Sequence, residues 1–203
     1  MPSSTTVKNP LKAAQAALAK TISYDQFLEK LGAKDKLNAE KHVAACEAGP
    51  VPQHAKLWKR LVTTLMSLSS NLAKVNGQQS IQFYVPDGKY RKQVYALEDL
   101  RKDVITVYCN NVLDDAVKLK LIKPTAGGEE DVELYAIPKS NETLAIEKLN
   151  GQSANPSEFY KHMIGWHREA IRITLPLNAS EEQVSTALLL CALNAEVPAA
   201  TPS

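Results

Sequence analysis

The chain has 203 residues, 44% of them hydrophobic and 23% charged, with a net charge of +2. That is the usual globular mix, so a buried core is expected, and so small a net charge gives no reason to expect a nucleic-acid partner. No run reaches the roughly 18 apolar residues of a membrane span, the N-terminus lacks the order of a signal peptide, and the three scattered cysteines, Cys46, Cys109 and Cys191, exclude a secreted disulfide framework. A soluble, cytoplasmic protein is the expectation. The charge is uneven: Met1–Asn76 carries +6, Gly77–Gly127 carries +2 and Gly128–Ser203 carries −6. Such a split marks an anion-binding front, or two ends that attract each other or a neighbouring copy.

The first third reads as helices. Leu11–Lys20 is Ala-rich, with good helix propensity. Tyr24–Leu31 places Phe27 and Leu31 four apart. Asp35–Glu47 is rich in Ala, Lys and Glu, and Gly49-Pro50-Val51-Pro52 stops it. The next helix, about Gln53–Val75, keeps Leu57, Trp58, Leu61, Val62, Leu65, Met66, Leu68, Leu72 and Val75 on one broad face.

The period then changes to two. Ile81, Phe83 and Val85 alternate with polar neighbours, Pro86–Gly88 turns, and the chain returns over Tyr90–Leu97. A turn at Asp99–Asp103 leads to Val104–Cys109, which completes an antiparallel meander. A helix over about Val112–Leu121 follows an asparagine cap. Thr125–Asp131 reads as a flexible loop, and Val132–Pro138 with Glu142–Leu149 as a second hairpin. Pro156–Ile164 reads as a short helix and Arg168–Leu175 as a strand. Ser180 and Gln183 form a capping box for the last helix. The fold class is α+β: a helical N-terminal section, then an antiparallel sheet of about six strands with helices packed against it. The expected organisation is a helical extension over residues 1–50, an α+β domain over 51–195 and a mobile tail over 196–203.

Three groups of residues carry chemistry. In GWHREAIRI, Gly165–Ile173, strand alternation puts His167 and Glu169 on the inward face with Ile171 and Ile173. A carboxylate orienting an imidazole is an acid–base pair; a structural pair at the sheet rim is the plainer reading. The other face presents Trp166, Arg168 and Arg172, the two arginines roughly 13 Å apart. Together with Arg91 and Lys92 on the first hairpin they form a basic-aromatic surface suited to phosphates and bases. The third group is His42, Cys46 and His54. The first two share a helix face, and three such donors suit zinc. Without a fourth ligand they read as a half-buried cysteine with two surface histidines, and no metal or other cofactor is expected.

No phosphate loop, nucleophile elbow or HExxH motif is present. The sequence therefore points to a non-enzymatic binding protein, its partner another protein or a second copy of itself. The alternatives are a nucleic-acid or anion-binding module, and a small enzyme using His167 and Glu169.

Overall fold

In the computed structural model of the protein, residues 9–76, 80–87, 89–99, 103–129, 132–150 and 169–193 are described. Four helices come first: α1 (Pro10–Leu18), α2 (Tyr24–Glu29), α3 (Ala33–Glu47) and α4 (His54–Leu68). Strands β1 (Leu72–Asn76), β2 (Ser80–Asp87), β3 (Tyr90–Glu98) and β4 (Val104–Asn110) follow, then helix α5 (Leu113–Lys118). Strands β5 (Lys123–Glu129), β6 (Val132–Ala136), β7 (Thr143–Asn150) and β8 (Glu169–Pro176) precede the last helix, α6 (Glu181–Leu193).

The class is α+β, and the described residues place eight strands in one antiparallel sheet of order β1-β2-β3-β4-β8-β7-β6-β5. The six strands legible as alternating runs form its middle, and the two that were not form its edges. Leu72–Asn76 continues the apolar pattern of α4, yet α4 stops at Leu68. Asn71 takes a left-handed conformation, φ 56°, which ends the helix and turns the chain into β1. Where the composition of Thr125–Asp131 suggests a loop, Lys123–Glu129 pairs with β6 through an irregular register. Gly128 makes this possible: at φ 152° a Cβ would sit 2.3 Å from the Val132 carbonyl oxygen, so only glycine fits the crossing.

Register carries the core across the sheet. Ile81, Leu97, Val107, Ile173 and Ile146 stand opposite one another on five neighbouring strands, each 0–1% exposed. Helix α4 lies against β2, and α6 against β7 and β8. Helix α1 rests on α6 and α4, α2 on α4, and α3 on α4 and β1. Ten of the fifteen residues of α4 are buried, because this helix is enclosed between the sheet and the outer helices. Its wide apolar face is covered by the chain itself. Ala14, Phe27, Ala39 and Val43 belong to the same buried cluster as the sheet.

Local signals explain the helix ends. Asn9 caps α1 through the Lys12 amide, and Ser23 and Gln26 form a reciprocal capping box on α2. The Ser180–Gln183 box is present as read: the Gln183 amide donates to Ser180 Oγ and the Ser180 amide to Gln183 Oε1. Both sheet edges are guarded. On β1, the Val75 amide donates to Asp35 Oδ1 and the Asn38 side chain donates to the Val75 carbonyl. On β5, Lys123, Pro124 and the irregular register break the edge.

The far face of the sheet is not an open platform at its centre. Ala96, Tyr108, Leu149 and Ala170 form a second buried cluster. Beside them Arg172 pairs with Glu147 on the adjacent strand, and Tyr108 donates a hydrogen bond to Glu98.

Candidate metal centre

His42 and Cys46 stand one turn apart on α3, so their side chains leave the same face. Helix α3 ends at Glu47, and the Gly49 amide folds back onto the Cys46 carbonyl at 3.2 Å. A Cβ on Gly49 would meet that same oxygen at 3.2 Å, so glycine eases the tight exit. Pro50 and Pro52 keep the connection from becoming helix. The His54 amide then closes a turn onto Val51 at 3.1 Å, and His54 opens α4 facing the last turn of α3. One turn later Trp58 lays its ring against His42, centroids 4.9 Å apart. The fourth residue comes from the sheet. Asp99 follows the last residue of β3, and alternation puts it on the inner face with Leu97, pointing toward the helices.

The four side chains converge on one point. Asp99 Oδ2 lies 2.7 Å from His42 Nε2 and 2.6 Å from His54 Nε2. Cys46 Sγ lies 3.3 Å and 3.4 Å from the same two nitrogens and 3.9 Å from Asp99 Oδ2. The four donor atoms all fall within 4.8 Å of one another. The side chains of His42 and Asp99 are 7% and 1% exposed, and that of His54 is 16% exposed, so the centre reaches solvent only on the His54 side.

Three arrangements can be compared against these distances. A Cys–His–Asp relay needs the thiol at one imidazole nitrogen and the carboxylate at the other. Here both meet the same nitrogen, Nε2, on both histidines, so no relay is formed. A purely hydrogen-bonded cluster is poorly matched. Both imidazoles donate to Asp99 Oδ2, which leaves the thiol no acceptor but the same crowded oxygen at 3.9 Å. Meanwhile Asp99 Oδ1 is buried with no hydrogen-bond partner, a costly state for a carboxylate. A cation at the point of convergence relieves the crowding at Asp99 Oδ2, because it takes the place of the protons that compete for that oxygen. A tetrahedral zinc centre has S···N edges of about 3.5 Å and N···O edges of about 3.3 Å. The two S···N edges are already close to that, the two His–Asp contacts would open by roughly 0.6 Å, and the widest pair of donor atoms, at up to 4.8 Å, would close. One thiolate and one carboxylate neutralise a divalent ion, so the buried centre carries no net charge. Burial, and then the charge of Asp99, pushes the Cys46 thiol up to about 12; a coordinated metal deprotonates such a thiol outright. One soft donor, two imidazoles and one carboxylate in a closed four-ligand set fit zinc best.

The trio noticed in the sequence is thus brought together, but not as a half-buried cysteine between surface histidines: His42 and Cys46 are buried, and Asp99 supplies the missing fourth donor. In the sequence Asp99 reads only as a turn residue. The available signal was its parity, an acid two residues beyond Leu97 on the inward stripe, and that signal does not say which partners await it.

The other candidates fare differently. His167, Trp166 and Arg168 lie outside the described residues. Glu169 begins β8 opposite Asn150, while Ile171, Ile173 and Leu175 are fully buried on the inward face. Arg172 is engaged by Glu147. Arg91 is exposed and Lys92 half-buried near the end of the β2–β3 hairpin. Among the described residues no helix is long and apolar enough to cross a membrane. Comparison with protein-family models, with curated proteins and with solved structures gave no match.

Proposed function

We propose that this chain is a zinc-binding protein whose centre is closed by His42, Cys46, His54 and Asp99, and that it is not an enzyme at this centre. The observation that carries the reading is the meeting of four donor atoms of metal-ligand type within 4.8 Å, in a buried position. Four protein ligands leave no coordination position for water or substrate, which is the arrangement of structural rather than catalytic zinc. The absence of catalytic motifs from the sequence supports the same conclusion.

The test is elemental analysis of the purified protein with competition against a chromophoric chelator. One zinc per chain is expected in the wild type. His42→Gln and Cys46→Ser should remove stoichiometric binding. A wild-type chain that takes up neither zinc nor Co(II) at micromolar concentration would overturn the reading.

A further inference from the structure

The way α3 is fastened suggests what the metal controls. The helix has two distinct sets of anchors. Up to Val43 it has anchors that involve no metal ligand: Ala39 and Val43 are buried in the core, and Asp35 and Asn38 bond the Val75 backbone. Its last turn has little of this kind. Ala44, Ala45, Glu47 and Ala48 are all exposed, and the Glu47–Lys59 ion pair is exposed and weak. Inward, this end of the helix is held through His42 and Cys46, whose partners are His54 and Asp99.

Without a cation those partners are mismatched, since one carboxylate oxygen faces two imidazoles and a thiol. We propose that the metal is a local lock. On this reading, which rests on the proposed zinc centre, metal binding fastens the last turn of α3 and the Gly49–Gln53 connection to α4 and to the end of β3, and metal loss releases that segment while the rest of the fold stands. The remainder has its own supports: ten of the fifteen residues of α4 are buried, and the inner face of the sheet is continuous from β2 to β7.

Hydrogen exchange followed by mass spectrometry on the full chain, with zinc and with zinc stripped by chelator, tests this. Peptides spanning residues 44–54 should lose protection when zinc leaves, while those within 57–68 and 171–176 keep theirs. Cys46→Ser should show the released pattern whether or not zinc is supplied. Unchanged protection over 44–54, with elemental analysis showing that zinc has left, overturns the lock but leaves the zinc centre intact. Loss of protection across the whole chain also overturns it, by making zinc a global determinant of folding. A wild type that binds no metal removes the centre and the lock together.

Discussion

At the scale of single residues, burial changes chemistry on both faces of the sheet. Cys46 is raised by burial and by Asp99 on the helix side. On the far face Tyr108 is raised well above the ordinary value of about 10, first by burial and then by its hydrogen bond to Glu98. A phenol whose folded pKa exceeds its unfolded one favours the fold while it stays neutral. That contribution is complete below about pH 10 and is lost as pH climbs toward the folded value. Tyr108→Phe should therefore cost about 1 kcal/mol at neutral pH and flatten the alkaline fall in stability. Thermal melts from pH 8 to pH 11 would read this, and a parallel fall in both proteins would show that Tyr108 is not the group responsible. Legibility at this scale was uneven. The spacing of His42 and Cys46 put them on one helix face without any structure. Asp99 lies 45 to 57 residues from the histidines it meets, and no local pattern links residues so far apart.

Among the elements, the central strands were readable and the edges were not. β2, β3, β4, β7 and β8 pack an alternating apolar face on α4 and α6, and alternation is a local property. β1 and β5 have little alternation because an edge strand has only one neighbour and more solvent. Leu72 and Val75 fit the helical period of α4 as well as they fit a strand; the left-handed Asn71 and the pairing with β2 decided between them. For β5 the deciding residue is Gly128. Gly128→Ala should destabilise the protein by about 1–3 kcal/mol, the usual cost of a strained backbone position. Gly127→Ala, whose Cβ would meet the Leu134 side chain at 3.5 Å and Thr125 Oγ1 at 3.9 Å, both ordinary contacts, should change stability by less than about 0.5 kcal/mol. Equal effects in chemical denaturation would mean that the β5–β6 crossing does not depend on the Gly128 conformation.

For the whole molecule, the centre joins layers that the sequence keeps apart. Three donors come from the α3–α4 hairpin and one from the sheet, so an ion held there cross-links the helical layer to β3. A ligand that binds only the folded state raises its stability by about 2.7 kcal/mol at a hundred times its Kd. For a chain of this size that corresponds to a Tm higher by roughly 5–10 °C. Chelation should lower the Tm by that amount and leave one cooperative transition, as expected if the lock is local. A melt indifferent to chelator, in protein shown to have carried zinc, would mean that the ion contributes nothing to the folded state. The apolar face of α4 is covered by the chain's own layers, and among the described residues both sheet edges carry blocking groups.

The sequence by itself determined the α+β class, the Ser180–Gln183 capping box, the inward stripes of the central strands and the pairing of His42 with Cys46 on one helix face. All of these rest on interactions within a few residues, where the periods of helix and strand fix the direction of each side chain. The tertiary structure alone decided the two edge strands, the closed second face around Tyr108 and the arrival of Asp99 at the histidines. Each depends on segments far apart in the chain meeting in space. The chemistry of such a meeting, here four donors turned toward one point, exists only once the layers have packed.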